Sequence, residues 1–69
     1  MYERALSNST HHRRFTIRRA PRTGWEIRDE IDTRVLKSVQ YEDWHRVERA
    51  KAIFALEAMA LKDRGWTEL

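Results

Sequence analysis

The chain has no cysteine, one proline and two glycines among its 69 residues. Without cysteine there is no disulfide to staple a small fold, no thiolate metal site and no cysteine nucleophile. Gly24 and Gly65 alone cannot build a glycine-rich phosphate loop. No apolar run approaches the roughly 18 residues that span a membrane. The opening Met1-Tyr2-Glu3-Arg4 lacks the basic and apolar blocks of a secretory signal. The expectation is a cytoplasmic protein without a membrane partner. Ser7, Ser9 and Ser38 have no context resembling a nucleophile elbow.

What is present is core material. The apolar share is 41%, and three Trp, two Tyr and two Phe supply bulk. The length fits one domain, and a chain this short buries only about 60% of its unfolded surface. So thin a domain is not expected to enclose the pocket of roughly 300 Å³ or more that small-molecule sites use. A non-enzymatic protein without a cofactor is therefore expected.

Charge is unevenly placed. Residues 1–34 hold 8 basic and 5 acidic side chains, whereas residues 35–69 hold 6 of each. Between His11 and Trp25 there are five arginines and no acid. Arginine in place of lysine favours bidentate contact with phosphate or carboxylate.

The polar run Ser7–Arg14 shows neither helical nor strand periodicity, so residues 1–13 read as a flexible tail and 14–69 as the folded domain. Phe15 and Ile17 alternate with Thr16 and Arg18, the period of a half-buried strand. Ala20-Pro21-Arg22-Thr23-Gly24 supplies turn chemistry. Beyond it Trp25, Ile27 and Ile31 share one face, with Glu26, Arg28 and Glu30 on the other. A third strand is expected around Thr33–Gln40, with Val35 and Val39 on one face and Leu36 on the other. From about Tyr41 to Arg64 the period becomes helical. Glu42 and Asp43 would favour the first turn, Glu42 would pair with Arg46, and Gly65 is a natural stop. The expected fold is α+β, a three-stranded antiparallel meander packed on one long C-terminal helix.

On the helical projection, Val47, Ala50, Phe54, Ala58 and Leu61 form one apolar sector, with Trp44 at its edge. Ile53, Leu56 and Ala60 lie on another side, bordered by Ala52 and Met59. One sheet face cannot cover both sectors. Three covers are available for the second: Tyr2 and Leu6, Trp66 and Leu69, or a second copy of the chain. A two-fold dimer would use the same patch twice. Ile53, Leu56, Met59 and Ala60 are thus the candidate interface for a homodimer or a protein partner.

The alternative is nucleic-acid binding by an arginine-rich hairpin, with Arg13, Arg14, Arg18, Arg19, Arg22 and Arg28 as contacts. Opposite charges facing one another across strands are the competing explanation for those arginines. The strand–strand–strand–helix order resembles, in topology, the small DNA-binding domains of tyrosine-type integrases and of AP2 plant factors. No motif in this chain carries that resemblance to particular residues. Glu42-x-x-His45 matches one half of a di-metal bundle motif, which needs a second copy and two further glutamates. His11-His12 reads as polar tail sequence. No metal is expected.

Overall fold

A computed structural model describes residues 1–69. Its elements are β1 (Tyr2–Ser7), β2 (His12–Arg19), β3 (Trp25–Ile31), β4 (Arg34–Tyr41), α1 (Trp44–Asp63) and β5 (Thr67–Glu68). The strands form one antiparallel sheet in the order β4-β3-β2-β1-β5. The three-stranded expectation is overturned: the sheet has five strands, and the segment read as a flexible tail supplies β1 and the start of β2. The topological likeness to three-stranded DNA-binding domains goes with it. The helix is the longest element and touches each of β1 to β4.

The hairpin expected in the middle of the chain is present. Ile17 pairs with Ile27 and Arg19 with Trp25 across a turn closed by the Ala20 N–H donating to the Gly24 carbonyl at 3.0 Å. Gly24 sits at φ +79°, and a Cβ there would lie 2.3 Å from the Tyr41 carbonyl oxygen. Both the left-handed backbone and the close approach of the β4 terminus require glycine at this point.

Two turns had no glycine to announce them. Asn8 closes the β1–β2 hairpin by accepting from the backbone N–H groups of Thr10 and His11 at 2.9 and 2.7 Å. Asp32 and Thr33, at φ +50° and +66°, form the two-residue β3–β4 turn. Positive φ at both positions is the signature of the type I′ hairpin turn, whose twist matches the flanking strands. Asp32 also ties the two hairpins together, accepting from the His12 N–H at 2.9 Å and lying 2.6 Å from His11 Nδ1. The His11 contact, followed by the His12 amide, holds the Asp32 carboxyl below its usual range.

The third expected strand forms, but a bulge at Asp29/Glu30 breaks its alternation. Asp29 faces Lys37, whereas Glu30 faces Val35. Leu36 is the extra residue, so Val35 and Val39 do not share a face. Val39 turns toward the helix, and Val35 and Leu36 are both about half exposed.

The helix begins at Trp44, three residues later than expected. Asp43 is the cap, its side chain accepting from the His45 N–H at 2.9 Å, and the first turn holds no acid. Tyr41 instead ends β4 opposite Trp25. Arg46 lies 5.9 Å over the Tyr41 ring and not on Glu42. At the other end, Gly65 donates to the Lys62 carbonyl and Trp66 to the Leu61 carbonyl, both at 3.0 Å, with Gly65 at φ +95°. That pair of bonds is a Schellman stop. It turns the chain back so that Thr67 and Glu68 pair with Ser7 and Leu6.

The core is Leu6, Phe15, Ile17, Ile27, Val47, Phe54, Ala58 and Leu61. Four of these are on the helical sector expected to face the sheet. Trp25, Tyr2 and Trp66 pack against the cluster from its edges.

The two chain ends are locked by a charged clamp. Arg4 donates two hydrogen bonds to Glu68, both at 2.7 Å, and Lys62 lies 2.6 Å from the same carboxylate. Arg4 first, and Lys62 after it, hold the Glu68 carboxyl down to about 2 from its ordinary 4.5. A carboxyl depressed in the folded state stabilises that state above its unfolded pKa and ceases to as pH falls through the folded value. The clamp should therefore be intact at neutral pH and open progressively between about pH 4.5 and about pH 2. The Leu69 amide, bonded to the Ala5 carbonyl at 2.8 Å, reports it. Its hydrogen-exchange protection factor is expected to fall across that window, and Glu68→Gln should show low protection already at neutral pH. A protection factor that stays level to pH 2 would contradict the clamp.

Candidate interaction surfaces

Beyond its core-facing sector, α1 presents Ile53, Leu56 and Met59 at 47%, 65% and 60% exposure, with Ala52 and Ala60 exposed beside them. Single exposed apolar residues are ordinary on protein surfaces. Five in one helical stripe form a patch, and patches mark binding surfaces. The four residues singled out from the sequence, Ile53, Leu56, Met59 and Ala60, lie together on it.

The structure also shows where the other possible covers have gone. Leu6 is fully buried in the core. Tyr2 stacks on Phe54 with ring centroids 6.4 Å apart, on the sheet side of the helix. Trp66 packs against the core past the helix stop. Neither end of the described chain reaches the outer stripe.

The arginines divide between the two faces of the sheet. On the face away from the helix, Arg18 pairs with Glu26 directly across the strands at 3.0 Å. Arg28 lies 3.5 Å from Glu26 and 3.7 Å from Glu30, and Arg14 lies 3.3 Å from Glu3. Alternation along β1, β2 and β3 brings these acids and bases to one surface, where they form a ladder of opposite charges. Arg13 is on the other face, between sheet and helix. It makes two hydrogen bonds to Asp29, at 2.9 and 2.8 Å, and one to Glu57 at 3.1 Å, and it lies over the Phe15 ring. Arg19 and Arg22 form no ion pair. The six arginines therefore do not converge on one basic surface, and four of them already have carboxylate partners.

Glu42 precedes the helix, so it and His45 do not share a helical face. No group of three or more His, Asp or Glu side chains is placed to hold a metal ion. The helix is not long and apolar enough to cross a membrane.

Clefts flank the helix, one of them larger than expected for so thin a domain. One of about 460 Å³ opens beside the first half of α1, among Tyr2, Trp25, Trp44, Arg19 and Lys51, and holds no carboxylate or histidine. Another, of about 260 Å³, separates α1 from β3 and β4 and includes Lys37, Tyr41 and Ile53. Neither is legible in the sequence, because each depends on how the helix is set against the sheet. No protein-family model, curated protein or solved structure matches the chain.

Proposed function

We propose that this protein is a non-enzymatic interaction module that self-associates through the outer face of α1. The observation that carries this reading is the exposed stripe Ile53, Leu56, Met59 and Ala60, left bare while both chain ends are used in the sheet and core. Burying apolar surface is the main drive for association, and a patch that meets its own copy is covered twice by one contact. The charge ladder on the opposite sheet face supports solubility and not phosphate capture, since its arginines are already engaged.

Leu56→Glu tests the reading. Leu56 is the most exposed of the three large side chains on the stripe and lies outside the core, so the variant should fold with unchanged helical circular dichroism. Sedimentation should find the parent chain as a dimer at micromolar concentration and the variant as a monomer. A parent chain that sediments as a monomer at high concentration would refute self-association.

A further inference from the structure

We infer that two copies pair through antiparallel α1 helices, with the two-fold axis passing beside Leu56. The inference rests on the self-association proposed above and specifies its geometry. In an antiparallel pair about that axis, residues whose numbers lie equally far before and after 56 come to the same height. Arg49 is seven residues before Leu56 and Asp63 seven after it. At about 100° per residue each lies only about 20° from the line through Leu56, one on either side. Arg49 of one copy therefore stands opposite the partner's Asp63, at both ends of the seam.

These two side chains are exposed, and neither has an ion-pair partner within its own chain. Asp63 is moreover in the last turn of α1, where the helix dipole disfavours an acid. A cation supplied by a second helix would offset that cost.

The apolar residues fit the same register. Ile53 and Ala60 fall on one flank of the seam, about 60° and 40° from its centre, and Ala52 and Met59 fall on the other. Two-fold pairing sets Ile53 over the partner's Ala60 and Met59 over the partner's Ala52. Large side chains thus meet small ones, and Leu56 meets its own copy. Interdigitation of large with small is what close helix packing requires. Glu48 and Arg64 stand farther off, about 80° to either side, at the solvent rim. A single helix pair is at the low end of the roughly 1,000 Å² that specific interfaces bury, so the dimer should dissociate on dilution.

Charge reversal tests the register. Arg49→Asp alone, or Asp63→Arg alone, places like charges together at both ends of the seam. Each should weaken dimerisation about tenfold, as expected for two exposed pairs changed from attractive to repulsive. The doubly reversed chain, R49D with D63R, should dimerise as tightly as the parent. An equimolar mixture of the two single variants should form a heterodimer that neither forms alone, because each chain then meets opposite charges. Sedimentation equilibrium reads all four cases, and circular dichroism confirms that every chain is folded. Single reversals that leave the dimer unchanged, or a double reversal that fails to restore it, would overturn this register. If Leu56→Glu still dissociated the dimer in that case, self-association would stand with a different geometry. If Leu56→Glu had no effect, both would fall.

Discussion

Replacing Phe54 with alanine should leave the chain without a cooperative thermal transition. Phe54 is 4% exposed and its ring stacks on Phe15 at 4.8 Å and on Tyr2 at 6.4 Å. It is thus the one side chain of α1 that touches aromatic rings of both β1 and β2. Truncating a buried phenylalanine typically costs about 3–5 kcal/mol, part from lost transfer energy and part from the cavity left behind. A single core in a chain of this size supplies roughly 3–5 kcal/mol in all. The two figures are equal within their spread, so the loss takes the whole margin. Circular dichroism followed against temperature should show a shallow, featureless slope for Phe54→Ala and a sigmoidal melt for Leu56→Glu. The same helix, one face apart, would then divide into a side that holds the fold and a side that does not. An unchanged melting temperature for Phe54→Ala would place the core elsewhere.

That division was legible in the sequence because helical periodicity is local. Val47, Phe54, Ala58 and Leu61 recur at the helical spacing, and the structure buries each of them. The β2–β3 hairpin was legible for the same reason: Phe15, Ile17, Trp25 and Ile27 alternate, and Pro21 and Gly24 punctuate the turn. β1 also alternates, with Tyr2, Arg4 and Leu6 inward and Glu3, Ala5 and Ser7 outward. It was hidden because one of its three inward positions is an arginine. Arg4 is tolerable there only because Glu68, 64 residues away, meets it. No local pattern contains that partner. β5 is two residues long and exists by virtue of the helix stop that aims it at β1. The β3–β4 turn is silent in the sequence because β-branched Thr33 takes positive φ at the second turn position, where glycine is the usual signal after aspartate.

The candidate surfaces follow the same rule. The outer stripe of α1 was readable from spacing, since exposure on a helix is periodic. The fate of Arg13 was not. It falls within a run of arginines that reads as one basic segment, yet strand alternation sends Arg14 and Arg18 to the open face and Arg13 beneath the helix. Asp29 was equally obscure, an acid at an inward strand position where an apolar residue is expected.

Asp29 and Arg13 are therefore the pair whose separation should be most damaging after Phe54. Asp29 is 7% exposed, the only charged residue among the nine buried ones. Arg13 forks onto both of its oxygens and also reaches Glu57 on α1, so the pair bridges the sheet to the helix. Arg13→Met would leave the Asp29 carboxylate buried without its partner. Asp29→Leu would leave Arg13 with only the half-exposed Glu57. Breaking a buried ion pair from one side costs about 3–5 kcal/mol, because the surviving charge has lost both water and partner. Arg13→Met should then be largely unfolded in the absence of denaturant, and Asp29→Leu, which leaves Arg13 its contact with Glu57, less so. Removing both charges is a different matter, since apolar residues of similar volume in place of a buried pair are often neutral or stabilising. The double variant, Arg13→Met with Asp29→Leu, should regain a cooperative urea transition and be more stable than either single variant. The comparison separates two roles that the static contact cannot. If the losses simply add, the two side chains contribute independently and the pair is not a unit. If the double variant recovers, the fold needs these positions matched and does not need them charged.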